Sequence, residues 1–221
     1  MKKQILLIAS IIISTITFAQ VKPSFGVRAG LSSAGIRGNA TNNLKSMLDF
    51  SNGMITTNDN NSFFAGLYAS IPVAGTVSVE PALYYSQKGY TMAGEFGMKN
   101  LDFLGANAKA KLTSNYIDIP VVLKVNMDGF QIFAGPQVSY LMSADLKTTA
   151  SALGINLLNK TIDASSQFNR WDAAVTAGVG YQLTRGVNFT ASYEHGLSKL
   201  DANKNTDTYN RSFKVGLGIS F

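Results

Sequence analysis

The chain has 221 residues, a formal charge of +6, only 14% charged residues, 20 Gly and no Cys. The missing Cys excludes a disulfide framework, a thiol nucleophile, thiolate metal sites and a lipid-modified cysteine anchor. No Lys/Arg run concentrates the positive charge, so nucleic-acid binding has no support beyond a basic isoelectric point.

Lys2 and Lys3 precede an apolar run over residues 5–13, and Thr17-Phe18-Ala19 offers small residues to a signal peptidase. This pattern predicts a cleavable signal peptide over 1–19, with cleavage before Gln20. The run is shorter than the roughly 18 to 20 apolar residues of a spanning helix, which disfavours a permanent anchor. A single domain then covers 20–221. It loses the two leader lysines and carries +4, a mild surplus suited to lipopolysaccharide or another acidic surface.

Period-2 alternation of apolar and polar residues recurs eight times, predicting strands near 23–32, 62–72, 76–88, 115–126, 130–142, 171–183, 187–197 and 211–221. Most are longer than the roughly 5 to 6 residues usual in soluble sheets. They match the roughly 9 to 11 tilted residues that cross a bilayer. Three connections are short and carry Gly: Val73-Ala74-Gly75, Met127-Asp128-Gly129 and Thr184-Arg185-Gly186. Four are long and polar, at 33–61, 89–114, 143–170 and 198–210, with helical turns expected at 43–50 and 151–160. Short turns at one end and long loops at the other are the layout of an outer-membrane barrel.

The two faces of each strand differ in kind. Phe25, Val27, Ala29 and Leu31 share one parity, against Ser24, Gly26, Arg28 and Gly30 on the other. Asp118 shares a parity with Lys124, as Glu80 does with Lys88, which a polar interior requires. A soluble barrel inverts this arrangement, and a secreted sandwich fits the alternation but not the strand lengths or loop asymmetry. An apolar outer face in lipid demands closure, because an open edge leaves backbone groups unsatisfied. The fold class is therefore all-β, an eight-stranded antiparallel up-and-down transmembrane barrel. Pro81, Pro120 and Pro136 fall inside strands, where bulges or rim positions are expected to accommodate them.

The pattern KPSFGVRAGLS, followed by YIDIPVVLKV, GFQIFAGPQVSYL and a closing KVGLGISF, resembles the Bacteroidetes outer-membrane β-barrel family, called porin-like or PorT-like. These are small barrels of the eight-stranded OmpX/OmpA kind. The most specific pieces are Tyr116 to Lys124 and Gly135-Pro136 with Tyr140-Leu141. The resemblance implies an eight-stranded barrel in the bacterial outer membrane, with one branch of the family implicated in protein secretion. It carries over no catalytic residues. Phe221, with Ile219 and Leu217 on its face, resembles the C-terminal aromatic signal through which the barrel-assembly machinery recognises such chains.

The candidate functional residues are interior charges: Arg28, Lys88, Lys124 and Lys214 facing Glu80, Asp118, Asp172 and Glu194 across the lumen. They read either as a polar channel or as a salt-bridged plug. Geometry favours the plug, since eight strands leave just enough space for side chains, and buried charges must pair. The single His, His195, shares parity with Phe189, Ala191 and Tyr193 and is expected at the membrane interface. One His supports neither a Ser–His site nor a His-rich metal site. The Gly pairs 178/180 and 216/218 lack the following helix of a nucleotide loop; they are expected to make room for long side chains. The expected protein is non-enzymatic, needs no cofactor, and serves envelope integrity or surface interaction. A narrow passive porin and an accessory secretion component are the alternatives.

Overall fold

The computed structural model describes residues 22–38, 55–96, 106–152, 155–184, 186–202 and 207–221. The expected signal peptide and the helical turn at 43–50 lie outside the described residues. Nine strands follow in chain order: β1 Ser24–Gly38, β2 Ile55–Ala74, β3 Val77–Phe96, β4 Ala106–Met127, β5 Phe130–Ala152, β6 Ile155–Asp163, β7 Trp171–Thr184, β8 Val187–Gly196 and β9 Thr208–Ser220. Eight of them close a ring in the order β4-β3-β2-β1-β9-β8-β7-β5, completed by β4–β5 pairing, and every pairing in the sheet is antiparallel. The ninth strand, β6, stands outside the ring. It pairs with the upper half of β5, above the stretch where β5 pairs with β7.

At the short-turn end the backbone does what the turn residues require. Asp128 and Gly129 both adopt positive φ, 49° and 94°, the signature of a two-residue type I′ hairpin. Gly75 has φ 50° at the first turn position. β1 begins and β9 ends at this same end, where the Phe221 N–H donates to the Phe25 carbonyl at 2.8 Å. The ring is thus zipped by β1 and β9 to its last residue.

At the other end the strands run further than the alternation indicates. Residues 33–38, 55–61, 89–96, 106–114 and 143–152 are strand rather than loop. The helical turn expected at 151–160 is corrected too: those residues belong to the end of β5 and to β6, apart from 153–154, which are not described. In these extensions the outward residues turn polar while Ala34, Ile36, Leu112 and Ala144 are buried inside, so ladder pairing continues without the apolar outer face of the lower strands.

Neither expected refuge shelters the prolines. Pro81, Pro120 and Pro136 lie mid-barrel without a register shift. The pairing simply lapses beside them, at 82–83 with 119–120 and at 121–122 with 135–136, where the missing N–H would have been needed. The irregularity in the upper barrel is at Met142, the extra residue between the pairs Asn115–Ser143 and Tyr116–Leu141. It shifts the parity of β5, so both Leu141 and Ala144 point inward and are fully buried.

The outside of the ring is apolar and fully displayed: Leu31 is 73% exposed, and Leu67, Leu123, Ile132, Val179, Val215 and Ile219 repeat the theme. Two aromatic rows bound it. Phe25, Phe130, Tyr181, Phe189 and Phe221 ring the short-turn end. Towards the far end, Tyr140 meets Trp171 edge-on at 5.0 Å, Tyr193 packs with Phe213, and Phe63 packs with Tyr85. From Phe130 to Tyr140, at about 3.3 Å per residue and a tilt of about 40°, the band is roughly 25 Å tall. That height fits the hydrocarbon of an outer membrane.

Candidate functional site: the charged lumen

Side chains fill the ring in layers. From the short-turn end a polar vestibule of about 510 Å³ enters the barrel, lined by Ser24, Ser70, Thr76, Asn126, Gln131, Gln182 and Ser220. Lys124 stands at its inner end, among its lining residues.

The first ionic layer centres on Glu80. One carboxylate oxygen accepts from Arg28 at 2.7 Å, and the other is paired with Lys124. The Arg28 guanidinium also donates to the Tyr84 hydroxyl at 2.8 Å and to Asn188 Oδ1 at 3.2 Å, while it lies 4.3 Å over the Tyr68 ring. Asn188 Nδ2 in turn donates to the Tyr68 hydroxyl.

Next comes a void of about 40 Å³, room for a few waters, bordered by Arg28, Glu80, Glu194 and Lys214. The second ionic layer lies on its far side. Asp118, with 0% exposure, accepts from Lys88 at 3.0 Å through one oxygen and from Lys214 at 2.8 Å through the other. Glu194 pairs with the same two ammonium groups. Lys214 adds a bond to the Ser86 hydroxyl at 3.0 Å, and Lys88 sits 5.0 Å from the Tyr116 ring centre. Beyond them, Leu112, Tyr116, Leu141 and Ala144 form a buried apolar cluster, with Tyr90, Leu146 and Phe168 packed against it.

Seven of the eight charges singled out from sequence thus fall into two mutually paired sets. The eighth, Asp172, does face the interior and is buried, but among the described residues no cation pairs with it directly. One of its oxygens accepts from Asn210 Nδ2 at 2.7 Å; the other has no hydrogen-bond partner among the described residues. Sequence reasoning missed Tyr68, Asn188, Asn210 and Ser86. For Tyr68, Asn188 and Ser86 lumen parity was the available signal, yet an uncharged residue on a polar face does not declare a partner; Asn210 fell in the segment read as loop.

The Gly pairs lie on the lumen face. A Cβ at Gly216 would come within 2.7 Å of the Phe64 ring, one at Gly178 within 2.6 Å of the Phe133 ring, and one at Gly218 within 2.6 Å of the Asn188 side chain. His195 points outward beside Tyr193, ring centres 6.1 Å apart, at the upper aromatic row. Phe221 is 81% exposed at the lower row, in line with Leu217 and Ile219.

Eight antiparallel strands in a closed ring, apolar outside and charged inside, define an integral β-barrel of the bacterial outer membrane. The family model described as outer membrane protein beta-barrel domain matches residues 18–202, and the chain belongs to that family. Among solved structures, Neisserial surface protein A (NspA) is similar with a TM-score of 0.50 at 12% identity, over 90% of this chain and 99% of that one. Ail, the attachment invasion locus protein of Yersinia pestis, gives 0.46 at 14% identity, over 90% of this chain and 99% of that one. OprG from Pseudomonas aeruginosa gives 0.44 at 14% identity, over 91% of this chain and 97% of that one. At 12% identity the likeness to NspA is one of fold. No curated protein matches the chain in sequence.

Proposed function

We propose that this protein is a closed, non-enzymatic barrel whose working surface is extracellular, serving envelope integrity or surface interaction. The observation that supports this is the pair of ionic layers stacked across an eight-stranded lumen, followed by an apolar layer. For a solute to pass, both layers must part. Leaving a buried charge without its partner costs roughly 3–5 kcal/mol, so spontaneous opening is rare. The non-enzymatic reading rests on the position of His195, which faces lipid and so lies away from the charged interior.

Liposomes loaded with the barrel test this reading. They should swell no faster in small sugars or amino acids than protein-free liposomes do; porin-like swelling would sink it. The vestibule supports a second reading, a narrow porin that opens when the Glu80 layer yields. Tyr116 to Lys124 and Gly135-Pro136 with Tyr140-Leu141 support placement in the Bacteroidetes porin-like family; an accessory secretion role, which belongs to one branch of that family, is the third reading, and no motif in this chain points to that branch. A stoichiometric partner retained after mild detergent extraction would favour that role.

A further inference from the structure

Lysines are scattered thinly along the sequence, and no run of them stands out. The sheet register gathers three. Lys111 on β4 lies directly opposite Lys147 on β5, and Lys109 lies opposite Thr149 two residues further up. All three share the outward parity of the sheet, and Thr91 of β3 flanks Lys111 on its other side. Lys109 and Lys147 are exposed and Lys111 is half-buried. None of the three makes an ion pair among the described residues. Like charges directly opposed on neighbouring strands weaken a sheet. The acidic positions on this face lie to either side of the row: Asp145 and Asp163 oppose each other one step lower, with Asp163 already engaged by the Ser165 amide, and Glu95 lies opposite Asn107 one step above Lys109.

The height of this row selects its partner. Ile117, on the same strand and parity, is paired with Tyr140 of the upper aromatic row. From Ile117 to Lys111 the strand rises roughly 15 Å, at about 3.3 Å per residue and a tilt of about 40°. A phospholipid headgroup layer is only about 5 to 7 Å thick on each side of the hydrocarbon. The lysines therefore stand above phospholipid headgroups while facing sideways, towards whatever the outer leaflet projects to that height.

We propose that Lys109, Lys111 and Lys147 form a docking face for the phosphorylated sugar core of lipopolysaccharide. That lipid carries fixed negative charge well beyond the hydrocarbon. A phosphate between Lys111 and Lys147 offsets their repulsion, and the Thr91 and Thr149 hydroxyls flank the site. The face is independent of whether the lumen is closed.

The test titrates the full barrel, in neutral detergent free of lipopolysaccharide, with deacylated lipopolysaccharide oligosaccharide in phosphorylated and dephosphorylated forms. Phosphatidylglycerol bicelles serve as the headgroup control. The phosphorylated form should bind. Removing its phosphates, or combining Lys111→Gln with Lys147→Gln, should weaken binding at least tenfold, while the bicelles bind variant and parent alike. Without lipopolysaccharide the double variant should unfold at the same temperature as the parent or higher, since the repulsion is gone. The proposal is overturned by no binding, by binding that ignores the phosphates or the lysines, by an equal loss towards phosphatidylglycerol, or by a less stable variant.

Discussion

Asp118 and Glu194 share both of their partners: Lys88 and Lys214 each contact both carboxylates, so two acids and two ammonium groups form one neutral, buried square. The four side chains come from β3, β4, β8 and β9. The square therefore ties one side of the barrel to the other across the lumen.

Asp118→Ala leaves two ammonium groups facing one carboxylate in a buried layer. Breaking such a set costs roughly 3–5 kcal/mol. Urea unfolding of the barrel in lipid vesicles, followed by gel mobility of heated and unheated samples, should show that loss. The exposed pair Lys199–Asp207 at 2.5 Å provides the contrast, because solvent screens it; Lys199→Ala should leave the unfolding curve unchanged. Equal effects from the two variants would contradict the assignment of the square as a structural element.

Much of this was legible in the sequence, for a physical reason. Lipid outside and a narrow polar lumen inside impose opposite chemistry on alternate residues, so parity alone placed Arg28, Glu80, Lys88, Asp118, Lys124, Asp172, Glu194 and Lys214 indoors. Where that contrast ends, legibility ends. Above the upper aromatic row the outer face turns polar while Ala34, Ile36, Leu112 and Ala144 are buried inside, so the apolar-outside pattern gives no guide to the outer parts of β2 to β5 or to β6. Asn210 fell in a segment read as loop, which hid the partner of Asp172. The opposition of Lys111 and Lys147 depends on register, to which the bulge at Met142 contributes, and composition carries no trace of it.

Two glycines separate backbone from side-chain crowding. A Cβ at Gly30 would lie 2.0 Å from the Val215 carbonyl oxygen, whereas one at Gly216 meets the outer edge of the Phe64 ring at 2.7 Å. A ring edge can shift and a paired strand cannot. Gly30→Ala should therefore destabilise the barrel more than Gly216→Ala, the latter by about 1–3 kcal/mol as an overpacked site. The same urea titration reads both.

The turn after β6 should respond to acid. The Ser165 hydroxyl and amide N–H both donate to the exposed Asp163 carboxylate, holding its pKa below the ordinary value, and Ser165 Oγ accepts from Ala144 N–H. A depressed carboxylate pKa contributes stability that is complete above the ordinary value of about 3.9 and is lost as pH falls through the lower folded value. Amide exchange at Ser165, corrected for intrinsic rate, should accelerate below that pH in the parent. In Asp163→Ala it should be fast throughout.

At the closing seam, Phe221 holds backbone bonds to Phe25 while its ring faces outward. If the ring together with Leu217 and Ile219 is read during assembly, Phe221→Asp should lower the amount of heat-modifiable barrel in the outer membrane. Phe221→Tyr should not. Parent-like amounts of the Asp variant would count against an assembly role for this residue.

The closed lumen is tested most directly by single-channel recording of the purified barrel in planar bilayers. The stacked layers around Glu80 and Asp118 predict no steady unitary conductance in the parent protein. Stable small channels in the parent, altered or abolished by Lys124→Ala or Glu80→Ala, would show that ions pass through those layers and would contradict the account.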